Sequence, residues 1–334
     1  MIEVGIFALK ALIIVLAIAA IIVLIAMLAS RASQKSELEV EPIHKKYREF
    51  AFFLKSFTIS KDEVKEEKKK LKAEKKQEKK QSPKKKVFVL NFEGDLAATQ
   101  TDNLREEITA LLQVATADDE VVVKVESPGG IVHGYGLAAS QLLRIRERGI
   151  PLTVCVDKVA ASGGYMMAVV AHKIVAAPFA IVGSIGVVAQ VPNFNRVLKK
   201  HDVDYKEYTA GEYKRTISLL GEITPEGEAH FQGRLHDTHL LFKNFVRQFR
   251  PNLNLLKVAT GDYWFGEEAQ TLGLVDELKT SDDYLLGFDK EIPIFELKYH
   301  VKETLSDKIS GMLGQALTKS LMRLWQRLET QKFL

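Results

Sequence analysis

Glu120-Val121-Val122-Val123-Lys124-Val125-Glu126 runs directly into Ser127-Pro128-Gly129-Gly130. The valine run bounded by charge reads as a buried strand, and the proline with its paired glycines ends that strand in a tight turn. Upstream, Thr101 to Ala115 repeats apolar residues at helical spacing (Leu104, Ile108, Leu111, Leu112, Ala115), with Thr101 or Asp102 placed as the N-cap. Before it, Val87-Phe88-Val89-Leu90-Asn91-Phe92 is a strand candidate. Downstream, Ile131 to Arg148 predicts a helix ended by Gly149-Ile150-Pro151, and Leu152 to Val156 a further strand. Strand, helix, strand, helix, strand at this spacing predicts α/β layering with parallel strands.

Val159 to Val191 is apolar, but His172 and Lys173 sit in its middle and Gly163-Gly164, Pro178 and Gly183 break it. A buried core helix followed by short strands fits better than a membrane span. Thr224 to Arg250 reads as a long helix entered through Thr224-Pro225-Glu226, with proline at the first helical position.

The chain has 334 residues, enough for one large or two medium domains; 46% are hydrophobic and 27% charged, which excludes disorder over most of its length. Cys155 is the lone cysteine, so no internal disulfide forms. Without HExxH or CxxC spacing, no metal site is expected; His236 and His239 with His230, and His133, are not singled out. The net charge is 47 − 43 = +4, yet residues 61–86 hold thirteen Lys against six Asp/Glu, a net of +7, so the remainder carries 4 − 7 = −3. The basic balance belongs to one spacer, and no nucleic-acid partner is expected.

Ala11 to Ala29 is nineteen apolar residues without a break. At about 1.5 Å per residue they span roughly 28 Å, close to a bilayer core. Glu3, the absence of a basic leader and the length of the run favour an uncleaved anchor over a signal peptide. Arg31, Lys35, Lys45, Lys46 and Arg48 follow the span and only Lys10 precedes it, a bias toward a cytoplasmic C-terminal portion. Residues 31–60 contain an apolar patch, Phe50 to Leu54 and Phe57, compatible with a short helix or a partly ordered tether. Residues 61–86 read as a solvated helix or flexible spacer. Leu305 to Leu328 places Ile309, Met312, Leu313, Ala316, Leu317, Leu321, Leu324, Trp325 and Leu328 on one helical stripe.

Three segments carry possible chemistry. Ser127-Pro128-Gly129-Gly130 presents bare backbone N–H groups of the kind an oxyanion hole needs, although an ordinary strand-to-helix turn has the same residues. Ala160-Ala161-Ser162-Gly163-Gly164-Tyr165 holds a serine between small residues, as a nucleophile or a helix cap; Ala160 departs from the GxSxG elbow. Gly211-Glu212-Tyr213-Lys214-Arg215-Thr216 contains a lysine that acts as a base only when neutral.

The order of these segments, with Gly183-Ser184-Ile185-Gly186-Val187, the run Gly261-Asp262-Tyr263-Trp264-Phe265-Gly266-Glu267-Glu268-Ala269 and Gly273-Leu274-Val275-Asp276, resembles the signal peptide peptidase A family of membrane serine proteases over residues 87–290. The anchor and charged segment look most like its SohB-type branch. The resemblance implies a ClpP/crotonase-like spiral of ββα units behind an N-terminal transmembrane helix and charged linker. It implies Ser162 as nucleophile, Lys214 as general base, Ser184 orienting the lysine, and Gly163 and Gly130 as oxyanion donors. It implies no cofactor, peptide substrates such as signal peptides or other hydrophobic peptides, and a homo-oligomer in which the lysine can come from a neighbour. An extended peptide is expected to pair with the strand edge leading into Ser127-Pro128-Gly129-Gly130.

The expected organisation is a transmembrane anchor at 1–30, a charged linker at 31–85, a protease domain at 86–300 and an amphipathic helix at 301–334. The expected location is a bacterial inner membrane, with the lipid contact at residues 11–29. The charge bias points the catalytic domain inward while the best-known members of the family work outside the cytoplasm, so its side stays open. Two rival readings share the fold: a crotonase-type acyl-CoA enzyme and a non-catalytic membrane scaffold. The first needs an acidic acid/base group in place of Ser162 and Lys214; the second has no use for them.

Overall fold

The computed structural model describes residues 36–78 and 84–301. The chain divides into two compact units, Met1–Glu39 with Tyr299–Leu334, and Val40–Lys298. Of the first unit only residues 36–39 and 299–301 are described; within it His300 Nε2 lies 3.4 Å from a Glu39 carboxylate oxygen. The anchor expected at 11–29 and the amphipathic helix expected at 305–328 lie outside the described residues. Among the described residues no helix is long and apolar enough to cross a membrane.

The elements in chain order are β1 (Ser36–Glu41), α1 (Ile43–Thr58), α2 (Lys61–Glu78), β2 (Val87–Glu93), α3 (Thr101–Leu111), β3 (Glu120–Glu126), α4 (Val132–Glu147), β4 (Leu152–Val156), β5 (Val159–Ala161), α5 (Gly163–Ala168), β6 (Lys173–Ala176) and β7 (Ile181–Gly183). After these come α6 (Asn195–Lys200), α7 (Pro225–Phe249), α8 (Leu255–Val258), β8 (Tyr263–Phe265), α9 (Gly266–Thr271), β9 (Glu277–Leu278), α10 (Ser281–Leu286) and β10 (Ile294–Val301). Among the described residues the strands make a seven-stranded sheet, order β1-β10-β2-β3-β4-β6-β9, and a three-stranded sheet, order β5-β7-β8. The fold is mixed α/β. From β10 to β9 every pairing in the large sheet is parallel.

Side-chain alternation explains why this sheet is covered on both faces. Phe88, Leu90, Phe92, Val121, Val123, Val125, Leu152 and Val154 pack into one core with Leu104 and Ile108 of α3, Leu142 and Ile145 of α4, and Met167 of α5. Val87, Val89, Val122, Cys155 and Val175 point the other way, onto Ile43, Leu285 and Ile294.

Local chemistry sets the helix ends. Thr224 Oγ1 accepts the Gly227 N–H at 3.0 Å and Pro225 opens α7, as the sequence predicts. The α3 start differs from expectation. Neither Thr101 nor Asp102 caps it; Gln100 precedes the helix in helical geometry, and Thr101 N–H closes a turn onto the Ala98 carbonyl at 3.0 Å. The patch at 50–57 is helical within α1, and Phe50, Phe53, Leu54 and Phe57 are exposed. The apolar stretch from Val159 divides into β5, α5, β6 and β7, so it is core and not a span.

Candidate active site

The turn after β3 and the turn after β5 meet. Ser127 N–H donates to the Val159 carbonyl at 2.8 Å and Ala161 N–H donates to the Ser127 carbonyl at 3.0 Å, so Ser127 extends β3 as a short partner of β5. Gly129 then folds back at φ +89°, a backbone that favours glycine. A side chain there would stand 2.7 Å from the Ser162 Cβ and 2.8 Å from the Gly163 nitrogen. The Pro128–Gly130 loop therefore lies directly on the serine's backbone.

Ser162 occupies the corner between β5 and α5 at φ 51°, ψ −114°, a strained geometry for a residue with a side chain. Its N–H donates to the Gly183 carbonyl at 2.8 Å. Gly183 ends β7, the parallel neighbour of β5, and Ser184 beyond it repeats the same φ of 51°. Two serines thus stand at matching corners on adjacent strands. Ser184 Oγ donates to the Gly261 carbonyl at 3.2 Å, and Ser184 N–H to the Asp262 carbonyl at 2.7 Å. The Gly261-Asp262-Tyr263 run, leading into β8, is what holds this second corner.

Among the described residues neither the Gly163 nor the Gly130 N–H has an acceptor, and Ser162 Oγ has no hydrogen-bond partner. A free hydroxyl on a partly exposed corner, with unpaired backbone N–H groups in the adjoining turns, is the kind of arrangement acyl transfer requires. Among the described residues no group of His, Cys, Asp and Glu is placed to hold a metal.

The model for the N-terminal part of peptidase family S49 matches residues 1–142, and the model for peptidase family S49 itself matches residues 144–292. A probable protease SohB of Haemophilus influenzae is 48% identical across 98% of this chain and 96% of its own length. The chain belongs to peptidase family S49. A probable protease SohB of Buchnera aphidicola subsp. Acyrthosiphon pisum is also 48% identical, over 72% of each chain. Among solved structures, a mutant of the 1510-N membrane-bound stomatin-specific protease in complex with a substrate peptide is 18% identical with a TM-score of 0.42, over 69% of this chain and 100% of its own. The protein is a serine peptidase of the SohB type, and the S49 assignment sets aside the acyl-CoA and scaffold readings of the sequence.

Of the residues singled out in this S49 chain, Ser162 and Gly163 stand at one corner, Ser184 at the matching corner of the adjacent strand, and Gly130 in the loop that packs on the first. Among the described residues Lys214 makes no hydrogen bond with any of them. It lies exposed in an irregular segment, and its ammonium has no partner among the described residues. Its neighbour Tyr213 stacks on His230 near the start of α7, centroids 4.0 Å apart and planes within 1°. Arg215 pairs with Glu207 at 3.0 Å. Further along α7, His239 Nε2 meets the Ile185 carbonyl at 3.1 Å, beside Ser184. His230 and His239 are nine residues apart, about 13.5 Å along a helix. His230 thus packs on Tyr213 and His239 is held at the Ile185 carbonyl, while His236 and His133 are exposed.

The expected substrate edge is corrected. Strand β3 pairs with β2 along its whole length and with β4 over Val121–Lys124, and Ser127 bridges to Ala160, so the strand is flanked on both sides and only Val125 and Glu126 lack a strand partner on the β4 side. Two residues were not legible as part of the site. Gly129 reads as half of a glycine pair, and only its positive φ separates its role from that of Gly130. Tyr135 sits at a core position of a helix, and the helical period marks it as nothing more.

Proposed function

We propose that the protein is a membrane-anchored serine endopeptidase working with a Ser162–Lys214 dyad. The single observation that supports this most is the strained Ser162 corner, its hydroxyl free and the unpaired Gly163 and Gly130 N–H groups beside it. Ser162 Oγ attacks the scissile carbonyl and its proton passes to the neutral Lys214 amine. The carbonyl oxygen becomes an oxyanion held by Gly163 and Gly130 N–H. The tetrahedral adduct then expels the peptide amine, which takes the proton from Lys214 and leaves an acyl-Ser162. Water, deprotonated by Lys214, hydrolyses that ester. Ser184 orients the amine. No cofactor takes part.

The active particle is a homo-oligomer, and Lys214 serves the Ser162 of a second copy. Two features favour this reading: the exposed position of Lys214, and its anchoring on α7 about two and a half helical turns from the Ser184 corner. The fold is a ClpP/crotonase-like spiral, a reading that the small β5-β7-β8 sheet beside the parallel one supports. Residues 1–30 anchor the chain in a bacterial inner membrane through 11–29, 31–85 link, 86–300 form the protease domain, and 301–334 form the amphipathic helix. Substrates are small hydrophobic peptides, signal peptides and membrane-protein fragments among them, presented from the same bilayer.

The deciding experiment labels the full-length protein with a fluorophosphonate and identifies the modified residue by mass spectrometry. Modification at Ser162 is expected, with turnover abolished in Ser162→Ala and in Lys214→Ala. Modification elsewhere, or normal turnover by either variant, overturns the dyad. Co-expression of the two inactive variants is expected to restore part of the activity, because mixed particles bring an intact serine and an intact lysine together across a contact. No restoration places both groups in one protomer.

A further inference from the structure

Tyr135 packs on Gly163 and, through Ser127, reaches the SPGG loop. Its ring lies so close to Gly163 that a side chain at that position would run into it. Its hydroxyl donates to the Asp95 carbonyl at 2.7 Å. A phenol carries one proton, so the 2.5 Å bond to Ser127 runs from the serine hydroxyl to the phenol oxygen. Ser127 Oγ in turn accepts the Gly129 N–H at 3.0 Å. The row is therefore directed: Gly129 N–H to Ser127, Ser127 to Tyr135, Tyr135 to the Asp95 carbonyl. Each bond polarises the next. Ser127 and Tyr135 are fully buried, and Gly94 closes over the pair with no room for a side chain. Burial pushes the phenol above its ordinary range, so it keeps the proton that the row requires.

We propose that Tyr135 is a positioning residue for peptide hydrolysis: its ring backs Gly163 while its hydroxyl, through Ser127, holds the Pro128–Gly129 peptide, one residue before the Gly130 N–H, so one side chain sets the gap between the two oxyanion donors. This rests on the reading of Gly163 and Gly130 as those donors. The ring is packing that phenylalanine reproduces, whereas the hydroxyl is what ties the SPGG loop to the ring. Without it the Ser127 hydroxyl loses its acceptor, turns, and the Gly129 N–H loses a fixed partner.

The test compares Tyr135→Phe, Ser127→Ala and the double variant in the full-length protein, with fluorophosphonate labelling of Ser162, peptide turnover and thermal unfolding read together. In Tyr135→Phe and in Ser127→Ala, kcat is expected to fall about tenfold or more, short of the ~10²–10³ lost with a donor itself. KM stays unchanged, because the hole acts on the transition state. The double variant loses no more than the larger single loss, because both changes cut one row. Tyr284→Phe is the control: its hydroxyl bonds a Glu120 carboxylate oxygen at 2.7 Å beneath the large sheet, away from the hole, and its loss lowers the melting temperature with kcat unchanged. Should Tyr135→Phe fail to fold, Ser127→Ala reads the same row alone. Wild-type kcat in the folded variants, or an equal loss of kcat in Tyr284→Phe, overturns the proposal. If the wild-type protein is not labelled at Ser162, the hole itself is misplaced and the proposal falls with it; labelling at Ser162 with an unchanged kcat overturns the proposal alone.

Discussion

Replacing Gly129 with alanine tests the contact between the SPGG loop and the serine corner. The added methyl would stand 2.7 Å from both the Ser162 Cβ and the Ala161 carbonyl oxygen, and 2.8 Å from the Gly163 nitrogen. Carbon atoms rest at about 3.5–4.0 Å, so the loop or the serine must retreat by roughly 1 Å. The backbone also resists, since φ is +89°; holding a side chain there costs about 1–2 kcal/mol. Overpacking adds about 1–3 kcal/mol. The sum, ~2–5 kcal/mol, corresponds to a fall in Tm of roughly 4–20 °C for a domain of this size. A displacement of ~1 Å at reacting groups costs about a hundredfold in rate. Gly149→Ala separates the two effects: its φ of +69° imposes the backbone penalty, but nothing lies within 4 Å of the added methyl. The expected result is a loss of kcat near a hundredfold in Gly129→Ala and none in Gly149→Ala, measured by hydrolysis of a fluorogenic hydrophobic peptide alongside calorimetry. Equal kcat in both variants would refute the claim that the loop and the nucleophile are in contact.

Thr224→Ala removes the side-chain cap of α7 and is expected to lower stability by about 1 kcal/mol, read as a shift of a few degrees in thermal unfolding, with kcat unchanged. Asp119 is a pH probe. Burial pushes its carboxyl up, but hydrogen bonds from the Thr116 and Lys86 N–H groups and the Thr116 hydroxyl, with the Lys86 ammonium at 3.5 Å, outweigh this and hold it below the usual range. A depressed folded pKa means that its stabilisation is complete above the unfolded value, about 3.9, and is lost as pH falls through the folded one. Asp119→Asn is therefore expected to cost about 1–3 kcal/mol at pH 7, and the gap to wild type in urea unfolding should close below about pH 4. Burial first, then the neighbouring Asp157 carboxylate, pushes the Cys155 thiol up to about 12. Iodoacetamide at pH 8 is expected to leave the native protein unmodified and to alkylate it once unfolded, by mass spectrometry.

Much of the fold is written in local pattern. The strands at 120–126 and 152–156 and the helix entered at Thr224-Pro225 have the bounds that alternation, valine runs and capping predict. These signals are local, so they survive folding unchanged. The pairing of β7 with β8, antiparallel within a chain of parallel neighbours, joins residues some eighty positions apart and leaves no periodic trace. The serine corner is half legible. Small residues around Ser162 mark a close approach, but that Gly129 lies on the serine while Gly130 packs on Leu96 follows from a torsion angle that no spacing reports. Lys214 shows the limit in the other direction. Its motif is clear, yet a lysine's role depends on what surrounds it, and in the protomer its surroundings are solvent.

Ser162 and Ser184 each hold a backbone angle that glycine would occupy freely. Either side chain is therefore retained against the fold's own preference, and replacing all of it with the hydrogen of glycine would make the scaffold sturdier. With the roles proposed for Ser162 and Ser184, heat tolerance and turnover pull in opposite directions at these two corners. A lineage released from its proteolytic duty would find durability by silencing itself.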